Sequence, residues 1–131
     1  MIPVAYDQLT VLVVEDEEHT RVIIKALLRQ IGVHSIVVAA NGKEGLNEVL
    51  RTRPHIVLCD VHMEPVNGLM FLKTLRAVKM EALRNTPVIF LTADAQKDTV
   101  MFAREHKVDG YLVKPVALSE LKAKIDHVMK R

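Results

Sequence analysis

Five short apolar runs, each followed by a longer segment with helical spacing, constrain this chain more than any other feature. They are "LTVLVV" (9–14), "HSIVVAA" (34–40), "HIVLCD" (55–60), "VIFLTA" (88–93) and "GYLVKP" (110–115). Short length and β-branched content read as strands. The runs are apolar continuously rather than alternately, as expected of strands covered on both faces.

The intervening segments read as helices. After strand 1, Val22, Ile23, Ala26, Leu27 and Ile31 give an apolar face, and Gly32 is placed to end the helix. Asn41 stands three residues before Glu44, a capping-box arrangement for a helix over about 41–52, and Pro54 follows it. A third helix starts near Gly68, carries Leu69, Leu72, Leu75 and Val78 on one face, and must end before Pro87. The fourth, "DAQKDTVMFAREHK", is fairly polar; its Met101 and Phe102 are hard to bury together, and one of them is expected to be exposed. The last, about 118–130, carries Leu118, Leu121, Ile125, Val128 and Met129, a stripe that reads as packing against the sheet before it reads as a dimer seam.

Five strands alternating with five helices predict an α/β fold, a doubly wound parallel sheet with helices on both faces. Right-handed crossovers keep the strands pointing one way, so all five end at one edge. Ligand sites in such sheets lie outside that edge. Its polar residues are Glu15 and Asp16 after strand 1, Asp60 at the end of strand 3, Thr92 at the end of strand 4, and Lys114-Pro115 after strand 5. Strand 2 ends in Ala39 and Ala40, with nothing reactive.

Composition narrows the partners. The 131 residues fit one domain, expected as a single unit over 1–131 with its core at about 9–130. Half the residues are apolar, enough for a core without staples. The net charge is +2 with no run of basic residues, so no direct nucleic-acid contact is expected. No apolar stretch approaches the ~18 residues of a membrane span, and the first residues lack the pattern of a signal peptide. The single cysteine, Cys59, reads as a small buried hydrophobe suited to a reducing cytosol, so a cytoplasmic location is expected.

If the strands take the order 2-1-3-4-5, which the pattern alone does not fix and which the resemblance given below implies, strands 1 and 3 are neighbours and their acids would share one crevice. Three crowded carboxylates raise at least one pKa unless a cation is present. Mg²⁺ suits one or two carboxylates with waters and a phosphate oxygen. Lys114 adds a positive charge and Thr92 a hydroxyl donor. A phosphoryl group on Asp60 fits all of these.

The set "VLVVEDE", "IVLCDVHM", "VIFLTA" and "GYLVKP", in this order and spacing, resembles the receiver domain of two-component response regulators, the CheY-like family. The resemblance spans about residues 9–130 and implies a flavodoxin-like, five-stranded single domain. It implies that Asp60 is the phosphoacceptor and that Glu15 and Asp16 are the acidic pair, with Asp16 a direct Mg²⁺ ligand and Glu15 acting through water. His62 would offer its backbone carbonyl to the metal. Thr92 and Lys114 match the switch residues that contact the phosphoryl group, and Tyr111 matches an aromatic that turns inward. His62 and Asp94 match positions that tune dephosphorylation. A cis Lys114–Pro115 bond is typical.

The implied function is a phosphorylation-controlled switch. A sensor histidine kinase or histidine phosphotransfer protein donates, and a downstream protein target reads the face of the fourth helix, strand 5 and last helix. A monomer or weak dimer is expected. The chain stops about where a receiver's last helix should, which fits a stand-alone receiver or a piece of something longer. Two departures matter: the family's Met-Pro is here Met63-Glu64-Pro65, with the proline one place late although Gly68 is in register, and the acidic pair is Glu15-Asp16 rather than Asp-Asp, a common variant. The rival readings are a phosphate-independent interaction module and an aspartate-nucleophile phosphatase. The latter uses a second Asp two residues after its nucleophile, where this chain has His62.

Overall fold

The computed structural model describes residues 4–93 and 97–130. The strands are β1 (Thr10–Val14), β2 (Ser35–Ala39), β3 (Ile56–Asp60), β4 (Val88–Thr92) and β5 (Gly110–Val113). They form one parallel sheet in the order β2-β1-β3-β4-β5. The helices are α1 (Glu18–Ile31), α2 (Gly42–Thr52), α3 (Gly68–Arg76), the short α4 (Glu81–Arg84), α5 (Lys97–Glu105) and α6 (Leu118–Val128).

Strand alternation divides the core into two layers. Leu12 and Val14, Val57 and Cys59, and Val88 and Phe90 pack on one side with Val49, Phe71, Leu72, Leu75 and Ala103. Val11 and Val13, Ile56 and Leu58, and Ile89 and Leu91 pack on the other with Ile24, Leu28, Leu121 and Ile125. The three inner strands, β1, β3 and β4, are buried on both sides, which is why their runs read as continuously apolar, whereas the edge strands expose Val38 on β2 and Val113 on β5.

Three sequence expectations need correction. The α1 face is rotated: Ile24 and Leu28 are buried, whereas Val22 is 59% and Ile23 45% exposed, and Ala26 is also exposed. Leu27 and Ile31 only flank that layer. In a run of consecutive apolar residues, several helical faces satisfy the same spacing. Second, α4 is a sixth helix inside what read as the lead-in to Pro87. Four residues carry too little periodicity to register. Third, the Asn41 cap forms with Glu44 N–H donating to Asn41 Oδ1 at 3.0 Å, but Glu44 Oε2 reaches past the cap to accept from Ala40 N–H at 2.7 Å.

Other local expectations hold. Gly32 ends α1 with φ 117°, its N–H donating to Leu28 and Arg29 carbonyls. Leu121 and Ile125 are fully buried and Val128 and Met129 partly so, which makes most of the α6 stripe core, while Leu118 at its start is exposed; Met101 is the exposed residue of the α5 pair.

Candidate functional site

Backbone register gathers the acids. Val13 pairs with Leu58 and Val14 with Cys59, so one further step sets Glu15 beside Asp60. Asp60 pairs with Leu91, and Leu91 with Leu112. By the period of two, Glu15 follows Val13, Asp60 follows Leu58, and Lys114 follows Leu112 on the same side of the sheet. The convergence is therefore a consequence of parallel pairing.

Lys114 Nζ donates to Glu15 Oε2 at 2.8 Å and lies 3.5 Å from Asp60 Oδ2. Glu15 is fully buried and Asp60 nearly so, while Asp16 is exposed. Carboxylate oxygens of Glu15, Asp16 and Asp60 lie within 4.8 Å of one another. Burial pushes the Glu15 carboxyl above its ordinary range, against the opposing hydrogen bond from Lys114. Burial does the same to Asp60, while Lys114 and the backbone N–H groups of Val61 and His62 pull it down. Burial alone would lower Lys114, but its hydrogen bond to Glu15 and the charge of Asp60 outweigh that and hold it high. Cys59 lies beneath, its thiol pushed up by burial and donating to the Asp60 carbonyl at 3.2 Å.

The loop after Asp60 is pinned at both ends. Gly68 N–H donates to the Val61 carbonyl at 2.9 Å, and Gly42 N–H to the Val66 carbonyl at 2.9 Å. A Cβ on Gly68 would meet the Asp60 carbonyl oxygen at 2.2 Å, so only glycine lets α3 start this close to β3. Asn67 Oδ1 accepts from Met70 N–H at 2.9 Å and caps α3. Both Glu64–Pro65 and Lys114–Pro115 are cis. Asp16, His62, Met63, Glu64, Pro65 and Asn67 line an open recess of about 590 Å³ beside Asp60.

The other candidates fall as follows. Thr92 closes β4 and is fully buried, and its carbonyl accepts from Lys114 N–H at 2.7 Å. Tyr111, half-buried on β5, meets the Phe90 ring edge-on at 6.4 Å and 78°. His62 is exposed at the recess. Asp94 lies outside the described residues. Two contributors escaped the sequence reading. Arg21 donates to the Glu15 carbonyl at 2.6 Å, fixing the β1 exit, and no sequence signal marks it. Asn67 was legible in principle as an Asn immediately before the helix.

The donor set fits a hard divalent cation. It is all oxygen, and two of its carboxyls are held above their usual range by burial, so a cation would relieve both.

Residues 11–126 match the family model described as response regulator receiver domain. The chain belongs to that family. It is a CheY-like receiver of two-component signalling, a signalling domain rather than a classical enzyme. It is 33% identical to chemotaxis protein CheY-3 of Vibrio cholerae serotype O1 over 121 residues, 92% of each chain. Chemotaxis protein CheY4 of Vibrio cholerae superposes with a TM-score of 0.83 at 26% identity, covering 92% of this chain and 98% of that one. The receiver domain of a sensor histidine kinase from Pseudomonas aeruginosa superposes with a TM-score of 0.84 at 26% identity, over 94% and 98%. It was solved with a magnesium ion coordinated in its active site cleft. No described helix of this receiver is long and apolar enough to cross a membrane.

Proposed function

We propose that this receiver, acting as one unit over about 9–130, accepts a phosphoryl group on Asp60 from a histidine kinase or histidine phosphotransfer protein. The observation that carries the reading is the place of Asp60. It is a buried carboxylate at the carboxyl end of the central strand, 3.5 Å from the Lys114 ammonium and within 4.8 Å of two further acids.

Asp60 supplies the attacking oxygen, the donor's P–N bond breaks, and an acyl phosphate forms. Water later hydrolyses it. Glu15, Asp16, Asp60 and the His62 carbonyl would hold Mg²⁺, which when bound neutralises phosphoryl oxygens during in-line displacement. The Mg²⁺-bearing kinase receiver of the same fold supports this assignment.

Lys114 exchanges its 2.8 Å bond to Glu15 for the new dianion, and the Thr92 hydroxyl donates to it. The backbone hydrogen bond from Lys114 N–H to the Thr92 carbonyl ties the two responses together. Tyr111 turns inward along Phe90, and the face of α5, β5 and α6 changes its affinity for a protein target. Met101, 49% exposed on α5, supplies apolar surface there. His62 and Asp94 govern access of the hydrolytic water. The setting is cytoplasmic, and the chain is a monomer or weak dimer without direct nucleic-acid contact.

Intact-mass analysis after incubation with a small phosphodonor tests the reading. A one-phosphoryl gain is expected with Mg²⁺, absent without it and absent in Asp60→Asn. A gain that persists in Asp60→Asn would overturn it.

A further inference from the structure

The turn that carries the acidic pair is pinned at Glu15. Its N–H donates to the Ala39 carbonyl at 2.9 Å, and both its carboxylate oxygens accept, Oε1 from Glu17 N–H at 3.3 Å and Oε2 from Lys114 at 2.8 Å. The exposed Asp16 carboxylate has no such anchor, since no hydrogen bond among the described residues holds it. Its direction rests on the backbone of the turn. The N-cap of α1, Glu17, makes no side-chain cap hydrogen bond. Instead Arg21, half-buried in the first turn of α1, reaches back. Its Nη1 donates to the Glu15 carbonyl at 2.6 Å, and its own N–H donates to the Glu17 carbonyl at 3.0 Å.

We propose that Arg21 is a positioning residue for the cation site: by holding the Glu15 carbonyl it aims Asp16, and so sets the preference for Mg²⁺ over Ca²⁺. The proposal rests on the reading that Glu15, Asp16 and Asp60 hold Mg²⁺ for phosphoryl transfer to Asp60.

The physical link is one peptide plane. The Glu15 carbonyl oxygen lies in the same plane as the Asp16 nitrogen and Cα, so fixing that oxygen fixes where Asp16 leaves the backbone. A guanidinium bond to a carbonyl at 2.6 Å is charge-assisted and strong. Mg²⁺ demands near-octahedral geometry, whereas Ca²⁺ accepts variable distances and angles. A loosened Asp16 should therefore cost Mg²⁺ more than Ca²⁺. The charge of Arg21 works the other way and acts alike on both ions. It repels either one, so its removal alone would tighten both by the same factor. The ratio of the two affinities cancels charge and reads geometry.

Isothermal titration calorimetry of the unphosphorylated protein with MgCl₂ and with CaCl₂, without any phosphodonor, tests this. Arg21→Met should weaken Mg²⁺ binding about tenfold and lower the Mg²⁺-to-Ca²⁺ affinity ratio at least about threefold. Arg21→Gln, whose shorter amide keeps polarity without the reach, should lower the ratio as well. Ile24→Ala, on the buried face of the same helix, should lose stability and keep the wild-type ratio. An unchanged ratio in a folded Arg21 variant would overturn the inference alone. So would an equal fall of the ratio in Ile24→Ala, because general loosening of α1 would then suffice. A wild-type protein that binds neither ion would overturn it together with the Mg²⁺ reading of the site.

Discussion

At the amino-terminal ends of β4 and β5, the Arg76 guanidinium donates to the carbonyls of Arg84 (3.0 Å), Thr86 (2.7 Å) and Lys107 (3.0 Å) and to Asp109 Oδ2 (3.0 Å). Asp109 Oδ2 also accepts from Val88 N–H at 2.8 Å. At the other end of the same sheet, three acids face one lysine. The first cluster has a cation matched by oxygens whose geometry is complete, so it holds α3, α4 and the starts of β4 and β5 together. The second has more negative charge than its cation balances, and burial raises Glu15 and Asp60. One end of the sheet is built for stability. The other gives stability up for a site that, in the proposed function, a cation and a phosphoryl group would complete.

The largest break in that contrast should come from Arg76→Ala. It removes four hydrogen bonds at once, two of them part-buried, and is expected to cost about 2–4 kcal/mol in urea unfolding. The Mg²⁺ dependence of labelling should survive, because the damage lies at the opposite pole. Loss of Mg²⁺ response in a folded Arg76→Ala protein would show that the two ends are coupled.

Gly68→Ala attacks the site end through the backbone. Its Cβ would sit 2.2 Å from the Asp60 carbonyl oxygen, and overpacking of this kind costs about 1–3 kcal/mol. Because α3 or the end of β3 must move, labelling should slow as well. Denaturation and intact-mass rates measured on the same protein separate the two effects.

Asp60→Asn should act in the opposite direction. Glu15 and Asp60 have raised folded-state pKa values, so the folded protein binds more protons than the unfolded chain. Their favourable contribution is present below the ordinary values of 4.5 and 3.8 and is lost as pH rises through the folded values. Removing one charge at neutral pH should therefore stabilise the Mg²⁺-free protein by roughly 1 kcal/mol. The gain should shrink as pH falls toward those ordinary values, and Mg²⁺ should stabilise the wild type more than the variant. A thermal-melt series over pH, with and without Mg²⁺, reads all three.

The smallest effect belongs to the misread face of α1. Val22, 59% exposed, contributes little packing, so Val22→Ser should change stability by no more than about 0.5 kcal/mol. Ile24→Ala, fully inside the opposite face of the same helix, should cost about 2–5 kcal/mol in the same assay.

Much of this protein was legible before any coordinates. Continuous apolar strands, their alternation with helices and the single polar residues at strand ends determined the parallel sheet and the edge where the acids gather. They did so because strand direction and side-chain period are local properties of the chain. Asn41 and Gly32 were equally readable, each answering a local backbone need, whereas Gly68 read only as a helix start and its close approach to the Asp60 carbonyl came from the fold. Tertiary structure alone decided the rest. It chose Ile24 over Ile23 on α1, because consecutive apolar residues leave the helix rotation to packing. It closed the Arg76 clamp, whose partners lie up to 33 residues away and meet only once β4 and β5 are paired. It also set the Lys114 ammonium nearer to Glu15 than to Asp60, a balance of distances between residues 99 positions apart that no spacing along the chain encodes.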